Sequence, residues 1–368
     1  MNFENQYSLL DQWLHRFSFA SNSAQIGIAD MEDRLYASEL KHIRSERPVF
    51  VTALPRAGTT ILLNLLVGTG KFASHVYRDM PFVLCPMLWQ RFAKHFQQES
   101  GTRERAHGDG VSVSADSPEA LEEMIWKPFW QAHYKEDKIR PWKHCDNASF
   151  QEFFYNHMRK IIALRSVDKS SPLRYASKNN LNIARIRAIP KIFPDCIILL
   201  PFREPLQHAA SLLRQHRSFL SMHKVDRFSA RYMAGIGHYD FGENLKPINF
   251  DAWLDRAHCT DPQQLAFWLQ YWTATYRHVL SQKGDSVHLV STAALTEQPN
   301  ESLARLADIL GLSDSNSLLQ QAPLLRSANQ HEIDHSGLTS ELINSAQDIY
   351  HTLNKLAVLP LYGDTSQA

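Results

Sequence analysis

The feature that most constrains the fold is a short apolar run, PVFVTAL at residues 48–54, which leads at once through PRAGTT into the apolar sequence ILLNLLVG. A run of this length with β-branched residues is typical of a strand buried on both faces of a parallel sheet. The leucine-rich segment that follows is typical of a helix. We therefore predict a buried strand, a tight turn and a helix over residues 48–68.

The same order of strand and helix recurs along the chain. Further strands are predicted at residues 173–178, 196–202 and 287–291, and helices at residues 119–134, 150–166, 204–220, 261–282 and 301–312. In the helix at residues 261–282, Asp261 is the predicted N-cap and Pro262 the first residue. Strands that alternate with helices predict an α/β fold: a doubly wound, mainly parallel sheet flanked by helices, with helical insertions. In such sheets the ligands bind at the carboxyl ends of the strands.

Segments outside this alternation differ in composition. Residues 1–46 carry apolar positions at helical spacing and are predicted as a helical extension. Residues 99–118 are polar and rich in glycine and serine, which predicts a mobile surface loop, and residues 225–250 are predicted as a lid or insertion. No internal repeat is found, so we predict a single domain over residues 1–368.

Charge and cysteine usage exclude several classes of protein. Lys+Arg number 39 and Asp+Glu 38, so the net charge of +1 provides no broad basic surface for nucleic acid. The four cysteines form no CxxC pair and no HExxH pair of histidines occurs, so no metal site is expected. No apolar stretch reaches the ~18 residues of a membrane span, and the N-terminus lacks the apolar core of a secretion signal. We therefore expect a cytoplasmic protein without a transmembrane segment.

The PRAGTT turn at residues 55–60 has the chemistry of an anion-binding loop. Gly58 permits a tight turn and, with Thr59 and Thr60, can direct backbone N–H groups at an anion at the start of the helix. The planar guanidinium of Arg56 suits a tetrahedral oxyanion, and the two threonine hydroxyls add donors. The loop is not a Walker A motif, because the first glycine and the lysine of GxxxxGK[ST] are absent.

A second loop, PFREPLQHAASL at residues 201–212, also joins a strand to a helix. Arg203 ends the strand, Pro205 suits the first turn of the helix, and Ser211 lies eight residues after Arg203, about two helical turns into it. One anion does not easily reach both this serine and the first loop. The two loops therefore suit a nucleotide with phosphate groups at both ends.

These two loops make the sequence resemble the sulfotransferase superfamily, in particular the bacterial branch related to tyrosylprotein sulfotransferases. VFVTALPRAGTT is similar to that family's 5'-phosphosulfate loop, usually PRSGTT or PKSGTT, with Ala57 in place of the serine. REPLQHAAS is similar to its 3'-phosphate motif, an arginine followed eight residues later by a serine. SVHLVSTAALTEQPNESLARLADILGL is similar to the family's late strand, loop and helix, although Ser-Thr-Ala-Ala-Leu replaces the usual turn. The resemblance spans roughly residues 48–312.

The resemblance implies a P-loop-like sulfotransferase fold and an enzyme. Such an enzyme transfers a sulfonate group from 3'-phosphoadenosine 5'-phosphosulfate (PAPS) to an acceptor hydroxyl or amine by in-line displacement. The product nucleotide is 3'-phosphoadenosine 5'-phosphate (PAP), and no metal is needed. Arg203 and Ser211 are implied as the 3'-phosphate site. The residues implied for the 5'-phosphosulfate are Arg56, Ala57, Gly58, Thr59 and Thr60.

A general base is needed to take the proton of the acceptor. The family supplies a carboxylate or a histidine shortly after the first helix, where this chain has SHVYRDMPFVLCP. Asp79 is the leading candidate and His75 the alternative, although an aspartate before an apolar run can also cap a helix. Lys178, at the end of a predicted strand, resembles the family's lysine near the acceptor and the transferred sulfonate. Glu122 and Glu123 are further carboxylates, but on a helix a solvated face is their expected environment.

The acceptor is not defined by any motif in the sequence. A small molecule, a sugar or a lipid each fits the resemblance, and the oligomeric state is not readable. Several aromatic residues would suit an acceptor pocket or stack on an adenine: Trp126, Phe129, Trp130, Trp142, Tyr232, Tyr239 and Phe241.

Two other functions stay open at this point. A P-loop-type nucleotide-dependent kinase shares the fold and the first loop, and Mg²⁺-dependent activity with ATP would support it. A non-catalytic nucleotide-binding protein would keep both loops but lack a working base.

Overall fold

The computed structural model describes residues 22–93, 103–104, 112–113, 116–166, 172–326 and 332–358. Five strands form one sheet: β1 Val49–Val51, β2 Phe72–Ala73, β3 Arg174–Lys178, β4 Ile197–Phe202 and β5 Val287–Ser291. Their order across the sheet is β2-β3-β1-β4-β5, and every neighbouring pair is parallel. Two short strands, Arg103–Glu104 and Ser112–Val113, pair antiparallel outside this sheet.

Helices surround the sheet. They are α1 Asn22–Leu35, α2 Ala37–Leu40, α3 Thr59–Gly68, α4 Pro86–Ala93, α5 Glu123–Phe129, α6 Ala148–Arg165, α7 Ile189–Ile192, α8 Pro205–Val225, α9 Arg227–Gly235, α10 Leu265–Gln282, α11 Thr292–Glu297, α12 Pro299–Leu310, α13 Asn316–Leu319 and α14 Ser340–Lys355. Helix α8 begins at Pro205 as predicted, and the carboxylate of Glu204 caps it by accepting from Gln207 N (2.7 Å).

The sheet is covered on both faces. Successive residues of a strand point to opposite faces, and in β1 Phe50 belongs to one hydrophobic core while Val49 and Val51 belong to the other. The smaller core packs leucines of α3 and α12 against the sheet, and the larger core packs aromatic residues of α6 and α10. This is the doubly wound α/β architecture that the sequence predicts.

The central strand β1 brings the ends of two other strands close to its own. Val51 is paired with Lys178 of β3 on one side and with Leu199 of β4 on the other. After β1 the chain continues to β2, at one edge of the sheet. After β3, which lies between β2 and β1, it crosses to β4 on the other side of β1. The carboxyl end of β1 is therefore a topological switch point, where ligands of open α/β sheets bind.

The predicted elements agree with the structure except at some of their ends. The strand predicted at residues 48–54 covers only Val49–Val51, and two-residue β2 carries too little periodic signal to predict. The predicted start of the helix at Asp261 is wrong, because α10 begins at Leu265. The carboxylate of Asp261 instead accepts from Gln263 N (2.9 Å) in a local turn.

The remaining predicted segments are described only in part. Residues 1–21 and most of residues 99–118 lie outside the described residues, and the rest of the helical extension contains α1 and α2. The predicted lid at residues 225–250 contains α9 and a turn of 3₁₀ helix at Gly242–Asn244, and its mobility stays a prediction. Within the described ranges, no helix is long and apolar enough to span a membrane, and no cluster of His, Cys, Asp or Glu side chains is arranged to hold a metal ion.

Candidate functional site

The loop after β1, residues 55–60, bends sharply at two points. Arg56 has a φ of 69° and Gly58 a φ of 93°, both in the left-handed region. This region is strained for a residue with a side chain, and such strain is concentrated at functional sites. A Cβ atom at Gly58 would also lie 3.0 Å from Cγ2 of Thr292. Position 58 therefore favours glycine for two reasons: the positive φ of its backbone and the short distance that a Cβ atom would have to Thr292.

Helix α3 starts directly after the bend, so its first turn faces the loop. The N–H groups of a first helical turn have no acceptor within the helix, and with the helix dipole they attract anions. The hydroxyl of Thr59 donates to Asn180 Oδ1 (3.4 Å), and the ammonium of Lys178 donates to Thr60 Oγ1 (3.2 Å). Lys178 thus lies against the predicted 5'-phosphosulfate loop, and its catalytic role stays a prediction.

The second loop meets the first at Arg56. Arg203, directly after β4, donates from Nη1 to the carbonyl oxygen of Arg56 (3.0 Å). Nε of Arg56 donates to Oγ of Ser211 in the second turn of α8, at the long distance of 3.5 Å. The structure thus brings together three predicted donor-binding residues that are as many as 155 positions apart in the chain.

The buried imidazole of His208 on α8 also holds the two loops together. Its Nε2 donates to the carbonyl oxygen of Pro55 (2.7 Å), and its Nδ1 accepts from Trp272 Nε1 (3.2 Å). These two partners require the neutral ring with its hydrogen on Nε2. Burial lowers the pKa of His208 to about 3, with a further contribution from Arg203, so the ring stays neutral. No sequence pattern identifies His208 or Trp272, because only the folded chain brings them together.

Positive charge is concentrated around the joined loops. Burial lowers the pKa of Arg203, and the neighbouring Arg56 and Arg214 lower it further. The pKa of Arg214 is also lowered, first by burial and then by Arg56. An arginine guanidinium is a strong base, so three of them side by side favour a multiply charged anion. The sequence prediction omits Arg214. Its position one helical turn after Ser211 places it on the same face of the helix, which could have identified it as a further candidate for anion binding.

The predicted base Asp79 lies in a buried ion pair. Both carboxylate oxygens lie 2.5 Å from Nη2 of Arg165, and Oδ2 also accepts from Val76 N (2.9 Å). Burial raises the pKa of Asp79, and the guanidinium of Arg165 opposes that rise. A raised pKa suits proton abstraction, but an acceptor hydroxyl must replace an Arg165 contact to reach the carboxylate.

The alternative base, His75, is fully buried in a histidine pair. Its Nε2 lies 2.8 Å from Nε2 of His157, and the two rings are stacked with centroids 5.1 Å apart. One nitrogen must donate and the other accept, so at least one ring is neutral. Burial lowers the pKa of His75 to about 3, and Arg165 contributes. These surroundings suit a core contact better than proton transfer to or from a substrate.

Glu122 and Glu123 are buried, so the expectation of a solvated face is wrong. Glu122 accepts from Asn182 Nδ2 (2.6 Å) and from Trp126 Nε1 (3.0 Å). Glu123 forms a two-point ion pair with the guanidinium of Arg185 (2.7 and 2.8 Å). Helical periodicity does not reveal this burial, because Asn182 and Arg185 lie 60 and 62 residues away along the chain.

Four of the seven aromatic residues predicted for an acceptor pocket belong to the buried core: Trp126, Trp142, Tyr239 and Phe241. Trp126 and Trp142 are buried, and their ring centroids lie 4.3 and 3.9 Å from Cζ of Arg185. They therefore stabilise a buried guanidinium. Tyr239 also lines a cavity.

Asn180 connects the first loop to the predicted lid. Its Oδ1 accepts from Thr59 Oγ1 (3.4 Å), and its Nδ2 donates to Asp240 Oδ2 (3.0 Å). Asp240 also lies 3.4 Å from Nε2 of His238. Asn180 lies two residues after Lys178, and this position could have marked it as a candidate site residue, although the sequence prediction does not use it. No sequence feature marks Asp240 in the same way.

Solved structures of bacterial sulfotransferases are similar to this chain over most of its length. Sulfotransferase STF9 from Mycobacterium avium is 14% identical at a TM-score of 0.49, covering 88% of this chain and 80% of that chain. Sulfotransferase STF1 from Mycobacterium tuberculosis is 14% identical at a TM-score of 0.47, with coverage of 92% and 86%. The sulfotransferase domain of the Synechococcus olefin synthase is 10% identical at a TM-score of 0.34, with coverage of 84% and 96%. No curated protein sequence matches the chain significantly.

The family match covers the region that contains both loops. The model of the sulfotransferase family matches residues 48–316, from the start of β1 to the start of α13. Arg56, Arg203 and Ser211 all fall within this range. The chain therefore belongs to the sulfotransferase family.

Proposed function

We propose that this chain is a PAPS-dependent sulfotransferase that transfers a sulfonate group to an acceptor hydroxyl or amine. The junction of the two loops carries the proposal: Arg203 donates to the Arg56 carbonyl (3.0 Å), and Arg56 reaches Ser211 (3.5 Å). Membership of the sulfotransferase family supports the same activity. A small-molecule, sugar or lipid acceptor and a cytoplasmic location belong to the proposal and rest on the sequence.

The two ends of the donor have separate sites in this proposal. Arg203 and Ser211 bind the 3'-phosphate, and Arg214 adds positive charge beside them. Arg56 belongs to the first loop and contacts Arg203 and Ser211 of the second, so it lies between the two sites. The 5'-phosphosulfate binds at the N-terminus of α3, with the turn formed by Ala57, Gly58, Thr59 and Thr60.

The proposed reaction depends on positioning and on stabilisation of charge. The acceptor oxygen attacks sulfur in line, the bond from sulfur to the 5'-phosphate oxygen breaks, and PAP leaves with that electron pair. Negative charge grows on the departing phosphate oxygen, where the N-terminus of α3, Arg56 and Lys178 stabilise it. The acceptor proton passes to the base.

Asp79 is the proposed base. Burial raises the pKa of its carboxyl group, and the family resemblance points to this segment of the chain. His75 is the weaker candidate, since it stacks on His157 and burial lowers its pKa to about 3. The acceptor reaches Asp79 by replacing one of the contacts of Arg165.

Incubation with PAPS and a panel of hydroxyl and amine acceptors tests the proposal. We expect PAP and a sulfated acceptor in equal amounts, detected by mass spectrometry. Arg203→Ala should lower the rate by about a hundredfold through loss of donor contacts. Arg217→Ala is the matched control, because Arg217 is an exposed residue of α8 that donates to the carbonyl of Gln263.

Two results would overturn the proposal. Phosphate transfer from ATP with Mg²⁺, in place of sulfonate transfer from PAPS, would identify a kinase. Binding of PAP without transfer to any acceptor in the panel would identify a nucleotide-binding protein.

A further inference from the structure

A cavity of about 390 Å³ lies beside the predicted lid. Buried Leu84 and Met124 form an apolar part of its wall. Lys127, Tyr239 and Lys246 form a polar part. Small-molecule sites of this size combine apolar walls with a few placed polar groups in the same way.

Two lysine ammonium groups converge on the ring of Tyr239. Nζ of Lys127 lies 5.6 Å from the ring centroid, and Nζ of Lys246 lies 5.3 Å from it. Both distances fall within the range of a cation–π contact. The ring therefore keeps two positive charges together in the wall of the cavity.

The hydrogen-bond acceptors of these ammonium groups are backbone carbonyls. Lys127 donates to the carbonyls of Ala234 (2.6 Å) and Gly235 (3.2 Å), and Lys246 donates to that of Lys135 (2.7 Å). Among the described residues, no carboxylate lies within ion-pair distance of either lysine. An ammonium group has three N–H donors, so both lysines retain donors for a ligand.

The charge of the cavity wall is positive. Its one acidic side chain, Glu243, is already paired with Arg227 (2.6 Å). Burial lowers the pKa of Lys127 to about 8; Glu123 opposes this change and Lys246 adds to it. A bound anion would relieve the repulsion between the two lysines and hold Lys127 in its protonated form.

A short series of contacts connects the cavity to the donor loop. Tyr239 precedes Asp240, which accepts from Nδ2 of Asn180 (3.0 Å). Asn180 in turn accepts from the hydroxyl of Thr59 at the start of α3 (3.4 Å). Two side chains thus separate the cavity wall from the loop proposed to hold the sulfonate.

We propose that this cavity binds an anionic group of the acceptor, a carboxylate or a phosphorus or sulfur oxyanion, at the ammonium groups of Lys127 and Lys246. An apolar part of the same molecule packs against Leu84 and Met124. The acceptor is therefore a small amphipathic anion with a free hydroxyl or amine. This inference rests on the proposed sulfotransferase function for the role of the ligand, whereas the anion site itself does not depend on it.

Calorimetric titration with three probes, in the presence and absence of PAP, tests the inference. The probes are para-hydroxyphenylpropanoate, para-hydroxyphenylphosphonate and the neutral para-hydroxyphenylpropanamide. We expect the anions to bind about tenfold more tightly than the amide, because hydrogen bonds to charged groups are the stronger ones. The relative affinities of the carboxylate and the phosphonate then identify which anion the site prefers.

Variants localise the preference to the cavity. Lys127→Met and Lys246→Met remove one ammonium group each at nearly constant volume, and each should abolish the preference for the anions. Lys224→Met, at an exposed position on α8, is the matched control and should retain it. Circular dichroism and the thermal unfolding transition of each variant show that it is folded, independently of PAP binding.

Three results would overturn the inference. The anions and the amide bind equally well, the anions do not bind at all, or the preference for the anions survives in both lysine variants. PAP binding reports separately on the proposed function, because it depends on Arg203 and not on these lysines. Normal PAP binding without an anion preference would leave the sulfotransferase proposal intact. A lysine-dependent anion preference in a protein that does not bind PAP would contradict the proposed function alone.

Discussion

Arg56 occupies the point where the two loops meet, and its backbone is strained there. Its φ of 69° costs about 1–2 kcal/mol for a residue with a side chain. The guanidinium of Arg203 fixes the Arg56 carbonyl, and His208 fixes that of Pro55, so contacts on both carbonyls offset this strain. The anion-binding chemistry of Arg56 is predictable from its place in a turn before a helix. Its contact with Ser211 is not, because local patterns carry no information about residues so far apart.

Asp79 and Arg165 permit a test that separates structural and catalytic roles. Asp79→Asn leaves Arg165 without its counter-charge and should lower the free energy of unfolding by about 3 kcal/mol. The double variant Asp79→Asn/Arg165→Met removes both charges and should regain much of that loss in urea denaturation. We expect it to bind PAP normally and to remain inactive in sulfonate transfer, because the proposed base is absent. If transfer returned together with stability, Asp79 would have a structural role only.

At the scale of elements, the strand–turn–helix units form where the hydrophobic pattern predicts them. A strand covered on both faces is a continuous apolar run, and β4, whose six residues are all buried, lies within one residue of its predicted bounds for this reason. Short elements are less predictable, since β2 has two residues and α9 lies in a segment whose aromatic and glycine content suggests an irregular lid. The beginning of α10 differs from its prediction because a local turn competes for the carboxylate of Asp261.

The turn between β1 and α3 can be tested with two glycine substitutions. Gly58→Ala and Gly70→Ala both place a side chain at positive φ, and each should lower the free energy of unfolding by about 1–2 kcal/mol. Only Gly58 has a close neighbour, since a Cβ atom there would meet Thr292 at 3.0 Å whereas nothing lies within 4 Å at Gly70. Gly58→Ala should therefore also weaken PAP binding, measured by calorimetry, and Gly70→Ala should not. Unchanged PAP binding in Gly58→Ala would show that this turn does not hold the donor.

At the scale of the whole molecule, the strand order β2-β3-β1-β4-β5 makes one site from distant segments. Because β3 and β4 flank β1, Lys178 and Arg203 both end up beside the turn that contains Arg56. The hydrophobic pattern predicts each strand but not the strands beside it. The candidate donor-binding residues can therefore be proposed from the sequence, whereas their arrangement cannot. Asp240 is the clearest example, because it joins the site through a contact with Asn180 on another element.

The central claim is that the joined loops bind a nucleotide with phosphate groups at both ends. Calorimetric titration of the wild type, Arg203→Ala and Arg217→Ala with PAP and with AMP tests this claim most directly. We predict that the wild type and Arg217→Ala bind PAP about a hundredfold more tightly than AMP, through charge-assisted hydrogen bonds to the 3'-phosphate. Arg203→Ala should lose most of this preference. Equal affinity of the wild type for PAP and AMP would contradict the claim.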